Sequence, residues 1–180
     1  MRKTYMVLLA TILISVSSFG QKGKNYLGGG LDLSLPTGDF GNYFKTGMGG
    51  YVKAMLGVGE AGAVTFTTGY SSFKEAGDWE GFSATQGIAP LLFGYRHHFN
   101  GFFVEPQIGY AIYNYKENSW ENGFYTESGG GFTWAAGVGY AFNNKVEVSA
   151  RYQTGGKNGV NLSLFGLRVG YNFSLAHSGK

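Results

Sequence analysis

Hydrophobic and polar residues alternate along most of the chain, in stretches of eight to ten residues. A two-residue period is typical of β-strands with one apolar and one polar face, and no stretch shows a convincing 3.6-residue helical period. The pattern predicts eight strands, at residues 25–35, 50–58, 63–72, 87–99, 102–114, 132–142, 146–154 and 161–175. Three connections are long (36–49, 73–86, 115–131), three are short (59–62, 100–101, 143–145), and 155–160 is intermediate.

Two short connections predict how neighbouring strands pair. Asn100-Gly101 is a strong signal for a two-residue hairpin turn, which would place Phe99 opposite Phe102 and Arg96 opposite Glu105. If 143–145 is a three-residue loop, one face of the next hairpin pairs Phe142, Tyr140, Val138 and Ala136 with Val146, Val148, Ala150 and Tyr152. In both hairpins one face is apolar, and the other holds small residues and a few long charged ones.

The size of the side chains indicates which face is inside. Eight strands enclose room for side chains or one small ligand, and the large residues of the apolar face would overfill that space. A lipocalin-like soluble barrel is therefore disfavoured, and we expect an all-β, eight-stranded antiparallel up-and-down barrel with its apolar face in lipid and a polar interior. The charges predicted to pair in that interior are Asp32, Lys53, Arg96, Glu105, Glu147, Arg151 and Arg168. An aromatic girdle at the short-turn rim would comprise Phe99, Phe102, Phe142, Tyr171 and Phe173.

The first twenty residues have the pattern of a cleaved secretory signal. Arg2 and Lys3 precede a 12-residue apolar run, and Ser18 and Gly20 supply small residues before Gln21. The run is too short for a transmembrane helix. We therefore expect a signal peptide at 1–20, a barrel at 21–175 and a short tail at 176–180.

Composition narrows the function classes further. Two of the 14 Lys and Arg residues lie in the predicted signal, so the mature chain would carry 12 basic against 11 acidic residues. That balance gives no reason to expect nucleic-acid binding. The absence of cysteine excludes disulfides and cysteine-based metal or nucleophile sites.

Two motifs carry a resemblance to a known family. The segment Leu35-Pro36-Thr37-Gly38-Asp39-Phe40-Gly41 follows the first strand, and residues 168–175 place Arg168, Gly170, Phe173 and Leu175 at the spacing of a barrel assembly signal. The chain thereby resembles the small outer-membrane β-barrel proteins, the family that includes the transmembrane domain of outer-membrane protein A and the barrels of the outer-membrane protein X and W types. The resemblance implies location in the outer membrane of a Gram-negative bacterium. It also implies assembly by the outer-membrane insertion machinery and contact with lipid and lipopolysaccharide, as a monomer.

We find no convincing active site in the sequence. A hydrolase would need a Ser–His–acid arrangement in the outer leaflet, but His97 and His98 flank the predicted periplasmic turn and His177 lies in the tail. Adjacent strand residues point to opposite faces, so His97 and His98 are also a poor metal pair. We expect no enzymatic activity, no metal and no cofactor.

Three function classes remain from the sequence: a structural or surface-interaction barrel, which the sequence favours; a narrow channel for small or apolar solutes; and, remotely, a lipid A-modifying enzyme. The predicted outer loops contain aromatic residues among acidic ones, a composition typical of contact surfaces. Five aromatic residues are candidates for such a surface: Trp79, Phe82, Trp120, Phe124 and Tyr125. The same side chains could instead fold back onto the barrel or lie among the lipid headgroups.

Export gives a first prediction. The mature protein should begin at Gln21 or within a residue or two of it, because the small residues before that position form the cleavage site. Intact-mass measurement on purified outer-membrane fractions checks this. A mass that includes Met1 would contradict both export and insertion into the outer membrane.

Overall fold

The computed structural model describes residues 25–77, 82–119, 123–157 and 160–175. Its strands are β1 (Tyr26–Thr37), β2 (Gly47–Val58), β3 (Gly62–Lys74), β4 (Phe82–Phe99), β5 (Phe102–Ser119), β6 (Gly123–Phe142), β7 (Val146–Lys157) and β8 (Val160–Ser174). Each strand pairs antiparallel with the next, and β1 pairs with β8 to close the barrel. The predicted signal peptide and the 176–180 tail lie outside the described residues.

The two predicted hairpins have the predicted registers. Asn100 and Gly101 have φ angles of 50° and 92°, as a type I′ turn requires, and Phe99 pairs with Phe102. At the other turn Asn143 and Asn144 also have positive φ, and the amide of Lys145 donates to the carbonyl of Phe142 at 2.9 Å. From there Phe142 pairs with Val146, and the register continues to Ala136 opposite Tyr152. We call the end of the barrel with these turns the turn end, and the opposite end the loop end.

The predicted long loops at 73–86 and 115–131 are wrong. Strand β4 already begins at Phe82, β5 continues to Ser119 and β6 begins at Gly123, so half of 73–86 and most of 115–131 is strand. Alternation fails there because these strand ends leave the barrel wall, and residues 123–128 have no buried face that would select apolar side chains. The Gly129–Gly131 run, like Gly28–Gly30 in β1, lies within a strand.

The outward face is apolar, as predicted. The aromatic residues of the predicted girdle lie on this face at the turn end, with 40–63% of their surface exposed (Phe99, Phe102, Phe142, Tyr171 and Phe173). Ring contacts continue along this rim, with centroid distances of 4.8 Å between Phe102 and Tyr140 and 4.7 Å between Tyr140 and Phe142. Among the described residues, no helix is long and apolar enough to cross a membrane.

The interior is polar only in part, which corrects the prediction of a wholly polar lumen. Toward the loop end the inward-facing side chains form an apolar cluster of Phe40, Phe73, Ile88, Ala111, Tyr113 and Leu164. Five of these residues come from strands, on the face that carries glycine and charged residues nearer the turn end. The sixth, Phe40, comes from outside the barrel wall and supplies the lid of the cluster.

A short helix brings Phe40 into the barrel mouth. Helix α1 spans Asp39–Tyr43, and Gly38 before it has φ of 60°, a conformation that favours glycine where the chain turns out of β1. Phe40 packs edge-on against Phe73 at a centroid distance of 5.0 Å. The backbone after α1 is held to the end of β3, since the amide of Lys45 donates to the carbonyl of Lys74 at 2.8 Å. The Pro-Thr-Gly-Asp-Phe segment therefore turns the chain out of β1 and places the Phe40 ring in the barrel mouth.

Removing the Phe40 ring should destabilise the folded barrel. Phe40→Ala would leave a cavity in the apolar cluster and should lower the free energy of unfolding by about 3–5 kcal/mol. Urea unfolding of the detergent-folded protein measures the change. Tyr43→Ala is the matched control, because Tyr43 lies on the same helix with 66% of its surface exposed. Equal losses in the two variants would show that Phe40 does not act as a plug.

Candidate functional site

Four charges lie together inside the barrel near the turn end. This four-charge cluster consists of Lys53, Arg96, Glu105 and Glu147, each at most 4% exposed. Arg96 binds both acids, with Nη2 2.6 Å from Oε2 of Glu105 and Nη1 2.7 Å from Oε2 of Glu147. Lys53 also contacts both, at 2.8 Å from Glu105 and 3.8 Å from Glu147. Two cations and two anions therefore balance within one closed set.

Neutral side chains complete the coordination of the two carboxylates. The Thr65 hydroxyl and the Gln107 amide each donate to Oε1 of Glu105 at 2.9 Å. The Tyr51 hydroxyl and the Asn172 amide donate to Glu147, at 3.1 and 3.0 Å. Sequence reasoning missed these four residues, although each lies at an inward position of its strand, where any polar residue is a candidate.

Three further charges lie closer to the loop end. In this three-charge cluster Asp32 binds Nη2 of Arg151 at 2.9 Å and Nε of Arg168 at 2.8 Å, and it accepts a hydrogen bond from the Ser34 hydroxyl. The Arg168 guanidinium also lies over the Tyr51 ring, 4.4 Å from its centroid. Tyr51 thus contacts both clusters, since its hydroxyl reaches Glu147 and its ring packs against Arg168.

Small residues opposite the long charges provide the space for these contacts. A Cβ on Gly166 would lie 3.0 Å from Asp32 Oδ1 and 3.1 Å from Arg151 Nε. A Cβ on Gly170 would meet the Tyr51 hydroxyl. The glycine content of the inward face is therefore a packing requirement of the charges beside it.

This arrangement is suited to closing and bracing the lumen. Charged groups in a low-dielectric interior are stable only when paired and hydrogen-bonded, and all seven are paired here. Within the described residues, no three His, Cys, Asp or Glu side chains are placed to hold a metal ion. His98 lines an open cavity at the turn end of the barrel. His97 points outward, and its ring centroid lies 4.5 Å from that of Phe99. His177 lies outside the described residues.

At the loop end, β4, β5 and β6 continue beyond their neighbours. We call residues 82–85, 114–119 and 123–132 the projecting sheet. Pairing between β5 and β6 runs out to Ser119 opposite Gly123, whereas β7 first meets β6 at Thr133 opposite Gly155. Within the described parts of the chain, residues 123–132 therefore have no strand partner on the side away from β5.

The predicted loop contact surface is only partly within the described residues, and what is described there is strand. Phe124 and Tyr125 lie in β6, with 87% and 53% of their surface exposed. Phe82 is the first residue of β4. Trp79 and Trp120 lie outside the described residues. On one face of the sheet, the hydroxyls of Tyr115 and Tyr125 donate to Glu117 and Glu127, at 3.0 and 3.4 Å.

The residues of the predicted assembly signal have different surroundings within β8 and just after it. Arg168 and Gly170 face the lumen, whereas Phe173 and Leu175 are exposed on the outer surface. The amide of Leu175 donates to the carbonyl of Asn25, which ties the chain's last described residue to the start of β1. Their role in assembly remains a prediction.

A double-mutant cycle tests the four-charge cluster. Arg96→Ala leaves two buried carboxylates with only Lys53 as their cation, and should cost about 3–5 kcal/mol of unfolding free energy. Combining it with Glu105→Ala restores the balance, since Lys53 and Glu147 remain. The double variant should therefore be more stable than the sum of the single losses predicts, by at least about 1 kcal/mol.

Urea unfolding of detergent-folded protein provides the four free energies for that cycle. The control cycle combines Arg96→Ala with Asp32→Ala, because Asp32 binds Arg151 and Arg168 instead. A coupling energy between Arg96 and Glu105 no larger than that of the control cycle would contradict the ion pair between them.

Comparison with known proteins identifies the architecture. The sequence profile of a family described as "Outer membrane protein beta-barrel domain" matches residues 6–173. No curated protein matches the chain by sequence. Among solved structures, the attachment invasion locus protein Ail of Yersinia pestis is 14% identical, with a TM-score of 0.64 over 85% of this chain and 100% of that one.

Two structures from Pseudomonas aeruginosa share the same fold. The N-terminal β-barrel domain of OprF is 17% identical, with a TM-score of 0.58 over 84% of this chain and 100% of that one. The outer membrane protein OprG is 13% identical, with a TM-score of 0.52 over 84% of this chain and 96% of that one. At these identities the likeness shows the fold, whereas the profile match covers most of the chain. The protein therefore belongs to the outer-membrane β-barrel family and lies in the outer membrane of a Gram-negative bacterium.

Proposed function

We propose that this protein is a closed barrel that acts at the cell surface, where its projecting sheet contacts another molecule. The observation that carries the proposal is the edge of β6 over residues 123–126 and 128–132, which pairs with no other described strand on the side away from β5. The short turns of such barrels face the periplasm, so this edge is on the extracellular side. The lumen in this proposal anchors and braces the sheet and conducts nothing.

Two successive seals support a closed lumen. The four-charge cluster crosses the barrel near the turn end, with contacts from β2 and β4 to β5 and β7. The apolar cluster under Phe40 is buried inside the barrel toward the loop end. A solute would have to separate buried ion pairs and then displace packed aromatic rings, and each step carries a large free-energy cost.

The length of the projecting sheet supports a role outside the membrane. A transmembrane strand needs about 9–11 residues, whereas β5 has 18 and β6 has 20. The additional residues include exposed polar ones that are unsuited to contact with lipid, such as Asn118, Thr126 and Ser128.

The free edge of β6 has the properties of a docking strand. An open edge presents unpaired N–H and C=O groups, which an added strand can satisfy. Proteins commonly protect such edges with proline or lysine, and the segment 123–132 contains neither. The exposed Phe124 and Tyr125 would add apolar contact to the backbone hydrogen bonds.

Shortening the hairpin tests this function without disturbing the barrel. Asn114 pairs with Ser128, so residues 115–127 can be replaced by Asn-Gly to close a two-residue turn between them, which removes Phe124 and Tyr125 and half of the 123–132 edge. Cells carrying wild type, the shortened variant or no protein are compared for self-aggregation and for adhesion to protein-coated surfaces. The shortened variant should behave like the null strain while remaining folded, as judged by its gel shift without boiling.

A matched control keeps the hairpin length and changes only exposed side chains at the other end of the barrel. Glu60→Gln changes an exposed residue in the turn between β2 and β3, on the periplasmic side, and should leave adhesion unchanged. Wild-type adhesion in the shortened variant would contradict the proposal that the projecting sheet is the contact surface.

A further inference from the structure

The outward surface of β5, β6 and β7 contains a groove. Its upper section, with a volume of about 320 Å³, is floored by Ala136 and Ala150 and walled by Val104, Tyr152 and Phe165. Its lower section, with a volume of about 590 Å³, continues between Phe102, Tyr140 and Phe142 at the turn end. The two sections share Val104 and Val138, so they lie next to each other along β6, and we call them together the outer groove.

The register of the strands creates the groove. Ala136 pairs with Pro106 and Tyr152, and Ala150 pairs with Val138, so the two alanines lie diagonally next to each other among larger outward side chains. On β6, Ala136 and Val138 lie between Trp134 on one side and Tyr140 on the other. The rings of Trp134 and Tyr140 form the two ends of the floor. A similar stretch of large residues would leave a convex wall instead.

The length of the groove matches one leaflet of a bilayer. From Phe142 to Ala136 the strand advances six residues, or about 20 Å at roughly 3.4 Å per residue. With the strand tilt of about 40° typical of such barrels, this is about 15 Å along the membrane normal. That distance is half of a hydrocarbon core about 30 Å thick. The groove therefore runs from the aromatic girdle to the bilayer midplane, on the periplasmic side.

A cation lies where a lipid headgroup would be. Lys145 is exposed in the turn that follows Phe142, and its amide hydrogen-bonds to the carbonyl of that residue. A phosphate at the level of this turn would lie beside its ammonium group, and an acyl chain below that phosphate would enter the groove.

We propose that the outer groove binds one acyl chain of a phospholipid from the periplasmic leaflet, with its phosphate near Lys145. The site rests on membership of the outer-membrane family and does not depend on the proposed surface function. Lipopolysaccharide is excluded as the occupant because its chains lie in the other leaflet. A second copy of the barrel would present a convex wall, which cannot enter a narrow concave groove.

Native mass spectrometry tests the site on the full mature protein. The probe is a phosphatidylglycerol with two 16-carbon chains, added at about equimolar amounts to detergent-folded protein. Wild type should retain one lipid. Ala150→Leu fills the floor and should lose most of the bound fraction, and Lys145→Gln should weaken retention about two- to fivefold, as expected of an exposed ion pair.

Ala54→Leu is the control for added bulk. Ala54 is a half-buried outward residue of β2, on the other side of the barrel from β6. It should retain the lipid like wild type. Equal lipid retention by Ala150→Leu and wild type would overturn the proposal. A protein dimer that appears in the wild-type spectrum and disappears in Ala150→Leu would also overturn it, because the groove would then bind a second copy of the protein.

Fluorescence in vesicles gives an independent measurement of the same site. The Trp134 ring lies 5.7 Å from the ring of Tyr152, at the midplane end of the groove. In a Trp79→Phe/Trp120→Phe background, phospholipid brominated near the chain end should quench Trp134 more than random mixing predicts. Ala150→Leu should reduce quenching to the random level. Quenching of Trp134 at the random level in the Trp79→Phe/Trp120→Phe protein, without Ala150→Leu, would also overturn the proposed lipid site.

Discussion

The structure depends on the requirement that every charge inside the barrel has a partner from another strand. Glu105 on β5 reaches Lys53 on β2, Thr65 on β3 and Arg96 on β4. Glu147 on β7 connects two of the same strands to Asn172 on β8, and Asp32 on β1 binds β7 and β8. Three carboxylates thus link seven strands across the lumen. Because an unpaired charge would be costly there, these contacts oppose any separation of the strands they join.

The remaining strand, β6, contributes space in place of charge. Its inward positions 135, 137, 139 and 141 are alanine or glycine, which leaves room for the side chains of the facing strands. A Cβ on Gly139, for example, would lie 2.5 Å from the Phe103 ring, and the Arg96 guanidinium lies over that ring at 3.7 Å from its centroid. The same strand has Ala136 on its lipid face and extends to Gly123, beyond its last described pairing with β7 at Thr133. Strand β6 is therefore the element on which both proposed contact sites, the outer groove and the projecting sheet, lie.

The sequence predicts the barrel wall well and its outer end poorly. Within the membrane, alternation and the Asn-Gly turn determine the register, because a slip of one residue would exchange the two faces. Beyond the membrane both faces of β5 and β6 contact water, so alternation no longer marks a strand. The apolar lid was also missed, since Phe40 follows a glycine-containing turn and only the folded chain shows that it returns into the mouth. The charges could be assigned to the lumen, but the partner of each depends on distances across the barrel that no local pattern contains.

The central claim is that paired charges and an apolar lid close the lumen, and ion current tests it most directly. Purified protein would be inserted in planar bilayers in 1 M KCl and recorded at both polarities, with folding checked by its gel shift. The account predicts no step conductance from the wild type, and discrete steps only when both seals are weakened, as in Phe40→Ala/Arg96→Ala/Glu105→Ala. Steady single-channel conductance of the wild-type barrel would contradict it.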